Sequence, residues 1–162
     1  MSAILIGSRQ VPRRPVSLSA YLRGVSLRSV VTAPVIYSLT IPLSLLDLFV
    51  TIYQRVCFPV YRIALVPRTR YFRFDRRRLP YLNALEKANC ALCSYANGVL
   101  AYTREVASRT ETYWCPIKHA RPVRGAHARY STFFDYGDHQ AYRSGLARMR
   151  QSVAPHRGRR ID

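Results

Sequence analysis

The chain has 162 residues, a formal net charge of +18 and 49% hydrophobic residues; that size fits one domain with a separate N-terminal segment, and the apolar fraction excludes a compositionally disordered chain. All but Lys87 and Lys118 of the 26 basic residues are arginine, so the partners favoured by charge are anionic: lipid headgroups, nucleic acid or acidic proteins. Four cysteines are too few for a disulfide-stapled mini-protein.

Residues 1–29 read as a basic N-terminal segment. The first 46 residues contain no Asp or Glu and carry Arg9, Arg13, Arg14, Arg23 and Arg28 among Ser, Leu and Val. Both an organelle-targeting segment and the basic flank of a membrane segment have this composition. No small-residue cleavage site follows the apolar run, which argues against a cleaved signal peptide.

Residues 30–67 read as a membrane-associated apolar segment. Val30 to Tyr53 is 24 residues long with a single charge, Asp47, enough as a helix to cross a hydrocarbon core of about 30 Å. Pro34 and Pro42 interrupt it, and Ser44, Asp47, Thr51 and Gln54 or Arg55 recur at helical spacing on one face. Such a stripe suits a helix lying in the membrane interface, or packed on protein, better than one surrounded by lipid. A second apolar run, Val56 to Pro67, is too short to span alone and would complete an in-plane or re-entrant hairpin. Three readings stay open: a spanning helix, an in-plane or re-entrant segment, and the core of a soluble protein.

Residues 68–79 form an Arg-rich juxtamembrane strip. Arg68, Arg70, Arg73, Arg76, Arg77 and Arg78 make up the densest charge run. Beside a membrane segment they are candidates for binding anionic headgroups, each worth about 1 kcal/mol near the surface, and they favour a cytoplasmic C-terminal half. The bland alternative is a solvated turn, and the alternation at Tyr71 to Phe74 would also suit a short strand.

Residues 80–138 contain the clearest periodicity. Leu85, Asn89, Leu92, Ala96, Val99, Thr103, Val106, Thr110 and Tyr113 recur at fours and threes, predicting one long helix, or a helical hairpin broken at Asn97-Gly98. Beyond Pro116 the pattern is lost, and residues 139–162 read as a basic, flexible tail.

The residues with the most chemistry are Cys90, Cys93, Cys115 and His119, in the spacing C-x2-C-x21-C-x3-H. Three thiolates and an imidazole form a complete tetrahedral set for zinc. On one straight helix, however, Cys93 and Cys115 lie about 33 Å apart. Either the helix stops well before Trp114, or two chains pack antiparallel about a centre near Thr103. Competing readings are buried structural cysteines, a redox dithiol at Cys90 and Cys93, and an iron–sulfur cluster. Asp135, Asp138 and His139 suit a polar turn better than a cation site, and Glu86, Glu105 and Glu111 read as ion-pairing surface charges. A phosphate loop, a nucleophile elbow and a convincing Ser/His/Asp set are all missing from the sequence.

The stretches EKANCALCSYANGVLAYTREVASRTETYWCPIKHA and LLDLFVTIYQRVCFPVYRI resemble a bacterial family of small membrane-associated proteins without an assigned activity. The resemblance covers roughly residues 40–138. It implies that Asn89, Cys90, Cys93, Gly98, Arg104, Glu105, Cys115, Pro116 and His119 belong to the family pattern, and it implies a bacterial inner-membrane location without a mechanism.

The expected fold is mainly α: an N-terminal membrane-associated helix or hairpin, a long helix or helical hairpin, and a loop-rich basic tail. The expected function is that of a non-enzymatic accessory or interaction protein on a membrane with anionic lipids, with an unidentified protein partner or a second copy of the chain, and either a structural metal site, with zinc the candidate ahead of an iron–sulfur cluster, or no metal. A nucleic-acid binder using Arg and Tyr, and a thiol-redox or metal-dependent enzyme using Cys90 and Cys93, are the rivals.

Overall fold

The computed structural model describes residues 23–24 and 26–155. The targeting-type segment before Arg23 and the tail beyond Pro155 therefore lie outside the described residues. Four α-helices follow in order: α1 (Leu27–Ser38), α2 (Thr40–Val60), α3 (Ala84–Trp114) and α4 (His139–Ser152), with three short 3-10 turns at Arg68–Arg70, Asp75–Arg78 and Ala128–Thr132.

Ser26 starts α1 by accepting a hydrogen bond from the Ser29 amide. Pro42 has no N–H for the carbonyl of Ser38, which explains why the helix is interrupted at Leu39 before α2 begins. The backbone at Leu39 stays right-handed, so α1 and α2 run on as one apolar rod of 34 residues. The rod does not fold back as a helical hairpin. It ends at Val60, and Arg62, at φ 53°, turns the chain into an extended return segment.

That return makes a parallel helix pair. Contacts advance in the same direction on both partners: Tyr37 bonds Asn89, Asp47 accepts from Tyr95, and Gln54 donates to Tyr102. At the far end Tyr61 packs on Trp114. Residues 61–83 therefore run back along the pair. Tyr71–Phe74 is not a strand, because the Arg68–Arg70 turn and the coil after it bend this stretch against α3.

A complete capping box starts α3, with Asn83 and Glu86 each accepting from the other's backbone amide. The helix then continues for 31 residues through Asn97-Gly98, where a break was a candidate. Asn97 bonds back to the Cys93 carbonyl. Gly98 serves close packing instead of a turn: a Cβ there would stand 2.9 Å from the Phe72 ring and 3.0 Å from the Tyr71 carbonyl oxygen.

After α3 the chain folds back over its opposite flank. Phe134 joins Pro116 and Lys118 through backbone hydrogen bonds of 2.9 and 2.8 Å. Residues 139–152 form α4, where a flexible tail was expected; its N-cap is Asp138, which accepts from Ala141. The expectation missed α4 because eight of its 14 residues, His139, Gln140, Arg143, Ser144, Arg148, Arg150, Gln151 and Ser152, are polar and only a narrow strip packs. The main core cluster gathers Phe58, Ile63, Val66, Tyr102, Val106 and Val153. The Ala64 amide bonds the Val153 carbonyl at 2.8 Å, which ties the chain just past α4 into that core.

Candidate functional site

The polar stripe of α2 faces inward. Asp47 is buried and is held by both Nη atoms of Arg68 and by the Tyr95 hydroxyl. Gln54 is also buried; its amide nitrogen donates to the Val66 carbonyl and the Tyr102 hydroxyl, and its oxygen accepts from the Val66 amide. Every polar group of this pair is thus satisfied within one chain, as burial requires.

The apolar residues of the same rod face out. Ile41, Leu45, Leu48, Phe49, Ile52, Val56 and Val60 are each between 49% and 72% exposed. On α1, Leu27, Val30, Val31, Val35 and Ile36 are exposed as well. The most apolar window of the rod is only 6% buried, which argues against an ordinary soluble core. A largely apolar cavity of about 610 Å³, lined by Val30, Ile36, Leu43, Leu92 and Tyr95 among others, opens between α1, the start of α2 and the first half of α3.

Of the arginine cluster, Arg68 is taken up internally. It pairs with Asp47 and its guanidinium lies 4.3 Å from the centre of the Phe72 ring. Arg70, Arg73, Arg76, Arg77 and Arg78 are exposed and make no ion pair with the described residues.

The thiols and imidazole are not brought together in one chain. Cys90 and Cys93 lie near the start of α3 and Cys115 caps its end. Among the described residues no three His, Cys, Asp or Glu side chains are grouped to hold a metal. The unbroken helix removes the arrangement in which α3 stops early, and with it a single-chain site built on all four residues. Burial pushes the Cys115 thiol up, and the Glu111 carboxylate adds to the shift. The Asp135, Asp138 and His139 turn has ordinary structural roles: Asp135 pairs with Lys118, and Asp138 caps α4.

A polar network on the other flank of α3 joins Glu105 and Glu111, read from the sequence as ion-pairing charges, to His127 and Arg129, which the sequence did not connect to them. Glu105 accepts from Arg109 and, at both oxygens, from Arg129. Burial pushes the Glu105 carboxyl up, but hydrogen bonds from Arg129 and Arg109 outweigh it and hold the group below the usual carboxylate range. Arg109 also donates to the Ala64 carbonyl, while Arg104 donates to the carbonyls of Gly125 and Ala126 rather than pairing with Glu105. Ser108, His127 and Glu111 form a chain with contacts of 3.0 and 2.8 Å. This superficially resembles a nucleophile relay. Yet Ser108 is 1% exposed and its oxygen already accepts from Arg129, so no substrate reaches it. The network fastens residues 125–129 to α3. The Glu105–Arg109 pair follows ordinary helical i,i+4 spacing, but His127 and Arg129 come from 16–24 residues further along, in a stretch without periodicity that no spacing rule connects to α3.

No family model matches the chain, and neither a curated protein nor a solved structure is similar to it.

Proposed function

We propose that the protein is a non-enzymatic accessory protein of a membrane surface, held by α1 and α2 lying in the plane of one leaflet. The observation that carries this reading is the division of one rod into two faces: its polar residues are satisfied inside the fold, and its apolar residues are left uncovered. An amphipathic helix of this kind buries its uncovered face several ångströms into the acyl boundary.

Two observations favour in-plane binding over spanning. The rod is 34 residues long, or about 51 Å, well beyond a hydrocarbon core of about 30 Å. Also, α2 runs parallel to α3, so a spanning α2 would carry the Glu105–Arg109–Arg129 cluster into the bilayer beside it, at a cost of several kcal/mol per ion. Lying flat, the rod keeps that cluster in water. Arg70, Arg73, Arg76, Arg77 and Arg78 are then placed to bind anionic headgroups, which favours the cytoplasmic leaflet. The location proposed with this reading is the bacterial inner membrane. The exposed outer surfaces of α3 and α4 are left for a protein partner.

The test uses the full chain with vesicles containing phosphatidylglycerol. Environment-sensitive dyes are placed singly at Ile41→Cys, Leu48→Cys and Val56→Cys in a background lacking the native thiols. Equal, shallow depths at all three positions support the in-plane reading. A steady gradient of depth along the rod would show spanning, and no vesicle binding would return the rod to a protein interface.

A further inference from the structure

We propose that two copies of the chain pair antiparallel along α3 and together hold a zinc-class divalent metal at each end of the pair, with Cys90 and Cys93 supplied by one copy and Cys115 and His119 by the other. The inference does not depend on the membrane reading.

The donor set is complete in chemistry and divided in space. Cys90 and Cys93 are one helical turn apart and share a face. Cys115 and His119 lie about 33 Å away, beyond the other end of the same unbroken helix. Each half supplies two ligands, too few for a structural zinc site, and no further His, Cys, Asp or Glu joins either half among the described residues. A two-fold axis between Thr103 and Arg104 repairs this. It places Cys93 opposite Trp114 of the second copy and Leu92 opposite the second copy's Cys115, so both half-sites meet at each end.

The intervening surface permits the approach. Cys93, Asn97, Leu100, Ala107 and Trp114 are exposed at spacings of three, four and seven, and Leu100 and Trp114 are 54% and 45% exposed. Arg104 would bring like charges together at the axis, but its guanidinium is already engaged by the carbonyls of Gly125 and Ala126. His119 is prepared as a ligand. Tyr130 stacks on its ring and contacts Nδ1 at 3.1 Å, which leaves Nε2 without a hydrogen bond to the described residues. A partner on one ring nitrogen orients the other toward a metal.

The test combines metal analysis, light-scattering mass and trans-complementation on full-length chains. The wild-type chain purified with zinc is expected to be a dimer with about one zinc per chain. The Cys90→Ser/Cys93→Ser and Cys115→Ser/His119→Ala variants, each confirmed as folded by circular dichroism, are expected to lose metal binding singly. Mixed together, they restore about one zinc per heterodimer, and cobalt substituted there shows thiolate charge-transfer bands. A monomer with a full equivalent of zinc, metal retained by either variant alone, or a mixture that stays empty would each overturn the proposal.

Discussion

Glu105 ties two arginines, Arg109 and Arg129, to α3. It is 19% exposed and accepts from two arginines, so removing its charge leaves both guanidiniums short of a partner. We expect Glu105→Gln to cost about 2 kcal/mol in urea unfolding, below the range for a fully buried pair because water still reaches Arg129. The folded carboxyl titrates below its ordinary value. Its contribution is therefore present above the unfolded Glu value, near 4.3, and is lost as pH falls through the folded value. The gap in melting temperature between wild type and Glu105→Gln should be widest near neutral pH and close in acid; a gap constant with pH would show that the arginine pairs contribute nothing. Gly98 is a separate case, governed by space. Gly98→Ala places a methyl group against the Phe72 ring and the Tyr71 carbonyl. A loss of about 1–3 kcal/mol is expected, and part of it should return when Phe72→Leu is added.

Helix α2 carries opposite obligations on its two faces, and substitutions should separate them. Gln54→Leu keeps the size of the side chain but orphans the Val66 amide and carbonyl, with an expected cost of about 1–3 kcal/mol and no direct effect on vesicle binding. Leu48→Glu, on the face that is 53% exposed at this residue, should leave the melting temperature nearly unchanged in detergent-free buffer and abolish co-sedimentation with anionic vesicles. If instead Leu48→Glu unfolds the chain, the face belongs to a protein core. Helix α4 follows a similar logic on a smaller scale. A methyl group at Gly145 would stand 2.6 Å from the Phe134 ring, so α4 can lie against the 116–134 segment only with glycine at that position.

At the scale of the molecule, a parallel pair of helices is held together by the segment that connects them. Residues 61–83 supply Ile63 and Val66 to the core, Arg68 to Asp47, and Phe72 to Gly98. The connection is thus a structural layer rather than a linker. The surface that results has one apolar side, where α1 and α2 are uncovered, and an arginine-rich strip beside the α2–α3 pair. Binding to vesicles should therefore have two components. Raising salt should weaken it by screening the arginines, while the apolar face keeps a residual affinity for zwitterionic vesicles. Binding abolished entirely by salt would point to charge alone, and with it to nucleic acid as the better partner.

Much of the helical architecture could be read from periodicity, because α2 and α3 each carry apolar residues at helical spacing over many turns. The polar stripe of α2 was legible for the same reason, and with it the idea that this helix packs on protein along one side. Three features were not legible. The sequence could not show that Arg68 leaves the arginine cluster to pair with Asp47, 21 residues away, because six arginines in one short run look alike until one finds a buried carboxylate. It left Asn97-Gly98 open as a candidate break, because glycine's freedom to turn and its lack of a side chain are the same residue in sequence; only Phe72, arriving from the return segment, decides between them. It offered Cys90, Cys93, Cys115 and His119 as candidate ligands, and the tertiary structure keeps the first two near the start of one unbroken helix and the other two at and beyond its end. Local spacing determines which residues share a helical face. Which face meets protein, lipid or a second copy is decided by contacts between residues far apart in the chain, and those exist only once the chain has folded.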